Sequence, residues 1–581
     1  MPRRFIALAG IAAFSISAAL LYAASNNRLG HQPNRETGTS MTDAARADAP
    51  ADLVLTNGNI YTVDSKLPYA QAVAIRGEKI IAVGSNEEVR AFVGVRTHVI
   101  DLHGRFAMPG FNDAHTHLAS GGMAKLTLNF EGAKSLAEFQ RRIRNSLKNY
   151  KPGEWITGSG WDHTLWPDKR FPTRGDLDAV STDHPMIFGR VDGHVAVANS
   201  LALKIAGVTK GTSDPQGGRI ERDPKTGEPD GMLEEDAAMS LVYRHVPPAS
   251  NERRRRAIEL ALQDAISNGV TSIQDYSTWR DFLIYRELKQ EGKLPLRITE
   301  WLTFTDPLPT LEAQRREGTT TDPWLKTGSL KAFMDGSLGS RTAAMLAPYS
   351  DDPSTSGILR MDPKQLDEMS IERDKAGFQL NFHAIGDKAN RVALDAFAAV
   401  RAANGPRDRR DRVEHAQIVA PDDFARFAEL NVIASMQPVH LLDDERWAGS
   451  RIGSERSRGA YAWNTMRKDG VHLAFGTDFP VESINPLRGI YACVTRELPE
   501  GGPAGGWEPQ EKLPRDVCIY DYTVGSAFGE FEENRKGAIK PGMFADIVVY
   551  PVDIMSVAPT ELLRTSVDIT ITGGRIVYER H

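Results

Sequence analysis

The sequence predicts an α/β protein: a (β/α)8 TIM-like barrel, a small β-sandwich domain built from both chain ends, and a long insertion after the first barrel strand. Three observations lead to this prediction. Eight buried β-runs recur along the middle of the chain, most of them followed by a helical pattern. Short β-runs broken by turns occur near both ends. The stretch from about 120 to 250 interrupts the alternation of strands and helices.

The N-terminal segment has the pattern of an export signal. The basic "MPRRF" leads into an apolar run from Phe5 to Ala24, and a polar stretch follows. Residues 1–24 are predicted to be a signal peptide or an uncleaved N-terminal anchor that associates with a membrane. Residues 25–50 are predicted to be a disordered linker. We expect a periplasmic or exported protein, whereas a start at Met41 would make it cytoplasmic.

Residues 51–108 and 529–581 are predicted to be the two parts of one β-domain. The first part contains "TNGNIYTVD" and "AIRGEKIIAVG", and the second contains "MFADIVVYPV" and "VDITITGGRIVYERH". These runs have the short, turn-punctuated pattern of β-strands. Because each part is too small to bury a core alone, we expect them to pack together.

The barrel is predicted over residues 109–528. Its eight strands are expected in "RFAMPGFNDAH", "GVTSIQDYS", "PLRITEWLTF", "SLKAFMDG", "FQLNFHAIG", "DRVEHAQIV", "NVIASMQPVH" and "VHLAFGTDFP". The active site of such a barrel lies at the C-terminal ends of its strands. The insertion at about 120–250 is punctuated by Pro and Gly and contains a hairpin-like "GGRIERDPKTGEPDGMLEED". We expect this insertion to cap the site.

Charge and cysteine content exclude several classes of protein. A formal net charge of -6 gives no electrostatic reason to expect nucleic acid as a partner. The basic run at 253–256 opens a helical pattern, so we interpret it as a solvated helix face. With only Cys493 and Cys518 there is no cysteine-based metal site. The two cysteines either form a pair or are two buried free thiols.

Metal-competent side chains stand near the ends of the predicted strands. His115 and His117 follow the first strand, and their i, i+2 spacing places both side chains on one face. Lys331 lies on the fourth strand. The remaining candidates are His383 on the fifth strand, His415 on the sixth and Asp478 on the eighth. Imidazole nitrogens with a carboxylate suit a zinc-like divalent ion that keeps one coordination position for water.

At these residues the chain resembles a known family. The matching stretches are "MPGFNDAHTHL", "DGHVAVANSLAL", "KAFMDGSLGSRTAAM", "HAIGDKAN", "EHAQ", "GTDFPVESINPL" and "IKPGMFADIVV". They resemble the amidohydrolase superfamily and, within it, the amidohydrolase-3 group that includes YtcJ-like proteins and N-substituted formamide deformylases. The resemblance covers the chain from about residue 52 to its end.

The resemblance implies a metal centre. His115 and His117 would bind the more buried ion, and His383 and His415 the more exposed one. Lys331 would be carboxylated by carbon dioxide and would bridge two ions, because an unmodified ammonium would be repelled by the cations. The alternative is a single metal ion beside an ordinary, partly buried Lys331.

Asp478 is predicted to be both a ligand and the general base and acid. A carboxylate beside the metal-bound water can take its proton as hydroxide attacks a carbonyl, and can then pass the proton to the leaving nitrogen. The alternative is that Asp478 caps a helix.

Five further residues are weaker candidates, and each has a structural alternative. His194 would polarise or orient the substrate carbonyl, or be a structural histidine. Trp161 and Asp162 would line the substrate pocket, or be packed within the insertion. Arg341 would bind an anionic part of the substrate, or form an internal ion pair. His440, at the end of the seventh strand, would contact substrate or support the ligands.

The predicted function is hydrolysis of a carbon–nitrogen bond in a small amide-type substrate, N-acyl or N-formyl, with zinc as the expected metal. Esters, lactones and carbamates are alternatives, because the same hydroxide attacks their carbonyls. A non-catalytic, metal-binding regulatory protein is another alternative, and a homodimer is a further expectation. A two-lobed solute-binding protein is disfavoured by the single run of eight strands.

Overall fold

The computed structural model of the chain describes residues 49–190, 195–215, 218–339 and 341–580. The predicted signal peptide or anchor, most of the predicted linker and the alternative start Met41 lie outside these residues. His194 also lies outside them. In the described part of the chain, none of the helices is long and apolar enough to cross a membrane.

The middle of the chain forms the predicted barrel. Eight parallel strands follow one another around it in chain order. From the first barrel strand to the eighth, their bounds are Phe111–Thr116, Val270–Asp275, Arg297–Thr303, Leu325–Phe333, Leu380–Ala384, Arg412–His415, Ile433–Met436 and Leu473–Phe475. The second strand is buried at every position, as expected for a parallel strand with both faces covered.

Helices pack around the barrel and connect its strands. Their bounds are Leu118–Lys125, Asn251–Ser267, Trp279–Gln290, Leu308–Gly318, Pro363–Lys375, Asp387–Asn404, Phe424–Leu430, Leu441–Asp444, Ala448–Ser457, Trp463–Lys468, Pro486–Thr495, Arg515–Tyr520 and Ser526–Phe528. The helix Asp387–Asn404 shows why they form. Ala389, Ala393, Phe397 and Val400 recur at helical spacing on its buried face, and Gly405 with φ of 76° ends it.

The two chain ends form a β-sandwich. Four N-terminal strands make one sheet, Leu53–Thr56, Ala72–Arg76, Lys79–Gly84 and His98–Asp101, with the helix Asn86–Arg90 beside it. Six strands from both ends make the other: Asn59–Tyr61, Tyr69–Ala70, Phe106–Pro109, Ile547–Tyr550, Ile569–Thr572 and Arg575–Glu579. A short helix, Pro559–Leu562, lies between two of the C-terminal strands. Leu55 and Ile75 of the first sheet share a buried cluster with Ile547 and Ile571 of the second, as expected for two halves that cannot bury a core alone.

The long connection after the first barrel strand folds into a separate sheet. Its strands are Leu128–Asn129, Ile156–Trp161, Met186–Arg190, Val195–Ala198, Arg219–Arg222 and Pro229–Glu234. Its helices are Leu136–Ser146, Arg174–Asp178, Ser200–Ala206 and Glu235–Tyr243. The last two strands pair antiparallel where a hairpin was predicted. Phe139, Trp166 and Phe188 belong to a hydrophobic core of the insertion itself.

The two cysteines form a disulfide. Cys493 in the helix Pro486–Thr495 is bonded to Cys518 in the helix Arg515–Tyr520, and both side chains are fully buried. Of the two alternatives that the sequence left open, the pair is therefore the one observed.

Candidate metal centre

The barrel brings the six predicted ligand side chains to one place. His115, His117, Lys331, His383, His415 and Asp478 all line a single cavity of about 370 Å³ at the C-terminal ends of the strands. The Nζ atom of Lys331 lies 3.0 Å from Nε2 of His115. The rings of His383 and His415 are 4.5 Å apart, centroid to centroid. Residues separated by up to 363 positions therefore converge, because parallel strands end at the same rim of the barrel.

Hydrogen bonds between the eighth and first strands close the barrel and position Asp478. The backbone N–H of Asp478 donates to the carbonyl of His115 at 2.8 Å. The Asp113 carboxylate accepts from the Thr477 hydroxyl at 2.5 Å and from the Thr477 backbone N–H at 2.9 Å. Gly476 permits this close contact, because a Cβ atom there would lie 2.5 Å from the backbone nitrogen of His115. The segment Gly476-Thr477-Asp478 is therefore required to close the barrel, in addition to the role of Asp478 in the candidate metal centre.

Two of the candidate ligands have left-handed backbone conformations. φ is 74° at His415 and 59° at Asp478, values that favour glycine. Such a conformation costs about 1–3 kcal/mol at a non-glycine residue and persists only where the surrounding structure enforces it. Glu414 and His415 are consecutive, yet the Glu414 carboxylate contacts His115 and the His415 ring lines the cavity.

A buried carboxylate holds the ring of His115. Nδ1 of His115 lies 2.8 Å from Glu414 Oε2, so this nitrogen donates and the Nε2 lone pair is directed to the cavity. Glu414 Oε1 in turn accepts from Nε of Arg412 at 2.6 Å. Burial lowers the pKa of His115 to about 4, aided by Lys331 and opposed by Asp478 and Glu414. His115 is therefore neutral at pH 7, as a metal ligand must be.

His117 and His383 are oriented by backbone carbonyl groups. Nδ1 of His117 donates to the carbonyl of Tyr276 at 3.0 Å, and Nε2 lies 3.2 Å from Asp478 Oδ1. Nε2 of His383 donates to the carbonyl of Gly336 at 3.1 Å. In each ring one nitrogen is fixed as a donor, which leaves the other nitrogen with a lone pair for a ligand bond.

The donor atoms fit a divalent cation. His415 Nδ1, His440 Nε2 and Asp478 Oδ1 are buried and have no hydrogen-bond partner among the described residues. Buried polar atoms are normally paired, so three unpaired atoms in one cavity indicate a binding site. Two sets of ligand atoms each lie within 4.8 Å of one another: His115, His117 and Asp478, and His415, His440 and Asp478. Nitrogen and oxygen donors of this kind suit zinc and related ions.

Charge in the cavity is distributed between Asp478 and Lys331. Burial would raise the pKa of Asp478, but the surrounding imidazoles of His115, His117, His415 and His440 hold it well below its usual value. Burial lowers the pKa of Lys331 to about 8. No carboxylate in the described part of the chain lies within 4.0 Å of its Nζ. The rings of Trp301 and Phe333 surround it instead, at 5.2 and 5.1 Å.

The remaining wall of the cavity is largely apolar. Phe333, Leu338, Ile385, Trp447 and Val481 line it, together with the polar pair Gln417 and Asp444. No described residue of the insertion lines this cavity, so the capping role of the insertion stays a prediction.

The weaker candidates occupy different surroundings. Trp161 is buried in the insertion, where its indole N–H donates to the carbonyl of Phe188 at 2.8 Å. Asp162 accepts from Thr164 and pairs with Arg190 at 3.1 Å.

The last two weaker candidates, Arg341 and His440, also lie in different surroundings from each other. Arg341 forms an ion pair with Asp351 at 2.8 Å and does not line the cavity. Of the weaker candidates in the described part of the chain, His440 alone lies in the cavity. Its Nε2 is 3.6 Å from Asp478 Oδ2, and its ring stacks on that of His415.

Sequence reasoning missed three residues of this site: Glu414, Gln417 and Asp444. Glu414 and Gln417 flank His415 in "VEHAQ", so their position beside a candidate ligand was a usable signal. Asp444 lies on the helix after the seventh strand, and no local pattern distinguishes it from the other surface acids.

The fold and the site define the class: a TIM-barrel protein with a candidate metal centre at the rim of its strands. The sequence pattern described as "Amidohydrolase family" matches residues 98–578. The chain belongs to the amidohydrolase family.

Three relatives match over most of their length. The protein LONG AFTER FAR-RED 3 of Arabidopsis thaliana is 38% identical over 91% of this chain and 92% of its own. The putative amidohydrolase YtcJ of Bacillus subtilis is 31% identical over 90% of this chain and 98% of its own. The N-substituted formamide deformylase of Arthrobacter pascens is 28% identical over 91% of this chain and 98% of its own.

A solved structure has the same fold. The uncharacterized metal-dependent hydrolase of Pyrococcus horikoshii superposes with a TM-score of 0.73 at 29% identity, and covers 87% of this chain and 99% of its own. The expected fold class and family are therefore confirmed.

Proposed function

We propose that the protein is a metal-dependent hydrolase that cleaves the carbon–nitrogen bond of an N-acyl or N-formyl amine. The observation that carries the proposal is the Asp478 carboxylate. It lies in a cavity, its Oδ1 has no hydrogen-bond partner among the described residues, and five histidines and Lys331 line the same cavity. The name of the Arthrobacter relative, which describes a deformylase of substituted formamides, supports this type of bond.

His115, His117 and Asp478 would hold the more buried cation, and His383 and His415 the more exposed one. A bound zinc-like ion would supply Lewis acidity, lowering the pKa of a water and polarising the substrate carbonyl. Carboxylation of Lys331 would give the two ions a shared anionic ligand. The geometry favours this modification, because Nζ lies 3.0 Å from His115 Nε2 and has no carboxylate partner among the described residues.

Asp478 would move the proton. As the water attacks the carbonyl carbon, Asp478 accepts its proton, and the same carboxyl group then donates that proton to the leaving nitrogen. His115 cannot perform this step, because its Nδ1 proton is held by Glu414 and its Nε2 is directed at the cation site. A carbonyl with an oxygen leaving group would react at the same site, so esters, lactones and carbamates are the second substrate class.

The proposal is tested by metal analysis of protein purified without chelator, together with a panel of formamides, amides, esters and lactones. We expect one or two equivalents of metal, with turnover that is lost on chelation and restored by zinc. Full metal occupancy without turnover of any substrate class would contradict the proposal and favour a regulatory, metal-binding protein. Absence of bound metal would contradict both.

We also propose that the protein is exported. The buried disulfide between Cys493 and Cys518 supports this location, because disulfides persist in oxidising compartments and are rare in the cytosol. Fractionation of cells under alkylating conditions should find the protein outside the cytosol with both cysteines protected. Free thiols on a cytosolic protein would contradict this assignment.

A further inference from the structure

One carboxylate on the cavity wall lies apart from the candidate metal ligands. Asp444, at the end of the helix Leu441–Asp444, lines the cavity together with Gln417. Its Oδ2 accepts from Gln417 Nε2 at 2.7 Å and from the Tyr461 hydroxyl at 2.5 Å. Gln417 and Tyr461 are themselves buried. The carboxylate is thus fixed from behind, and its Oδ1 accepts no hydrogen bond from a described residue.

In the described part of the chain, the Asp444 carboxylate has no ion-pair partner on this wall. Among the described residues, no lysine or arginine lies within 4.0 Å of Asp444, and no arginine lines the cavity. Arg341, which the sequence suggested for binding an anion, is paired with Asp351 and does not line the cavity. A substrate carboxylate placed against Asp444 would face another carboxyl group and gain no ion pair, which costs free energy in a partly buried site.

Much of the cavity that Asp444 shares with the candidate metal centre is lined by apolar side chains. Phe333, Leu338, Ile385, Trp447 and Val481 would contact the part of a substrate that joins the amide to the group at Asp444. An alkyl or aromatic spacer gains from this contact, whereas a polar spacer loses its hydration.

We propose that Asp444 is a specificity-determining residue that binds a substrate ammonium group, so that the substrate is an amide of a diamine, with one nitrogen acylated and the other free. This inference rests on the proposed function. The fixed carboxylate would accept charge-assisted hydrogen bonds from the ammonium group while the amide carbonyl lies at the metal centre.

The test uses three sets of N-formyl alkylamines of equal length, with two to five methylene groups. One set ends in an ammonium group, one in a methyl group and one in a carboxylate. On zinc-loaded protein we expect kcat/KM to be at least about 10-fold higher for the ammonium than for the methyl compound, and lowest for the carboxylate. In Asp444→Asn the ratio of ammonium to methyl should fall by about 10-fold or more.

Asp443→Asn is the matched control, because it removes the same charge from a neighbouring, exposed side chain that does not line the cavity. It should keep the ratio within about 2-fold. Equal losses in both variants would overturn the proposal, since they would show a general field effect. A wild-type enzyme that shows no preference, or prefers the carboxylate, would also overturn it. If Asp444→Asn does not fold, Asp444→Glu should shift the optimum to a spacer one methylene shorter, and an unchanged optimum would count against the proposal.

Failure of the proposed hydrolysis can be distinguished from failure of the proposed role of Asp444. If no compound is hydrolysed, the same three sets are used as ligands in calorimetric titrations of the zinc-loaded protein. Tighter binding of the ammonium compounds, lost in Asp444→Asn, would support the role of Asp444 even though the proposed reaction fails. Equal binding of all three would overturn it.

Discussion

Both ends of the barrel bury charged side chains, but these charges pair with one another at one end and face a cavity at the other. At the N-terminal ends of the strands, Glu530 pairs with Lys536 at 2.6 Å and accepts from Asn112 at 2.8 Å, and Lys326 pairs with Glu532 at 2.6 Å. At the C-terminal rim, His415, His440 and Asp478 each have a buried atom without a hydrogen-bond partner among the described residues.

This difference indicates that the N-terminal end of the barrel serves stability and that the C-terminal rim serves function. A buried ion pair whose members satisfy each other holds the fold and offers nothing to a ligand. Buried donors and acceptors without partners destabilise the fold, and are retained where a ligand completes them. Substitutions at the rim should therefore reduce activity at little cost in stability, and substitutions at the opposite end should do the reverse.

The largest effect is expected for Asp478→Asn. Loss of the proton-accepting carboxylate should lower kcat by about 10² to 10⁴-fold. The melting temperature should change little, because Asp478 Oδ1 has no hydrogen-bond partner to lose among the described residues. Asp469→Asn, the same substitution on an exposed surface, is the control for both measurements. Normal turnover in Asp478→Asn would show that the carboxylate at the rim takes no part in the reaction.

Much of this contrast could be predicted from the sequence. Eight strands and the order of their chemistry-bearing residues follow from hydrophobic patterns, so the six candidate ligands could be placed at one rim in advance. The left-handed backbone of His415 and Asp478 could not be predicted, because no local pattern distinguishes these two non-glycine residues from their neighbours.

Side chains beyond the strand ends were less predictable. Trp161, Asp162 and Arg341 were predicted to contact substrate, but their atoms are engaged within the insertion or on a loop. Asp444 lines the cavity from the end of a short helix that follows the seventh strand. Such placements depend on contacts between distant segments, which no local pattern encodes.

At the opposite end of the barrel, Glu530→Gln should cost about 3–5 kcal/mol of stability, because it leaves Lys536 buried without its counter-ion. Burial would raise the pKa of Glu530, but Lys536 and Lys326 hold it at about 2, below the ordinary 4.5. The pair therefore stabilises the protein above about pH 4.5, and this contribution is lost as the pH falls towards 2.

Urea denaturation at pH 7 and at lower pH measures this loss, and kcat is measured on the folded fraction. Glu561→Gln is the control, because its ion pair with Arg564 is exposed and should contribute at most about 1 kcal/mol. A fall in kcat without a fall in stability would reverse the roles assigned to the two ends.

Removal of the disulfide tests whether the two helices that it joins are needed for the geometry of the rim. Its closed loop spans 25 residues, so the double substitution Cys493→Ala and Cys518→Ala should cost about 3 kcal/mol. We expect kcat of the folded protein to be unchanged, since neither cysteine lines the cavity. Equilibrium denaturation and initial rates check the two parts. A loss of metal from the folded double variant would show that metal binding at the rim depends on this disulfide.

The smallest effect is expected at Glu414. This residue is a paired buried charge and also a part of the candidate metal centre. It is fully paired, with Arg412 at 2.6 Å, yet it also orients His115 at 2.8 Å. Burial would raise the pKa of Glu414, but Arg412 and His115 hold it at about 2, so it is ionised when His115 binds metal. Glu414→Gln should weaken metal binding by about 10- to 100-fold, because His115 loses the acceptor that fixes its Nε2 towards the cavity.

Competition with a chromogenic chelator measures that affinity, and excess zinc should restore most of the activity of Glu414→Gln. Ser435→Ala is the matched control. It removes a hydrogen bond of 2.8 Å to the same carboxylate without touching His115, and should change the affinity less than 10-fold. If Glu414→Gln binds zinc like the wild type but unfolds more readily, Glu414 serves the fold alone. The boundary between the two kinds of buried charge would then lie one residue closer to the rim, between Glu414 and His415.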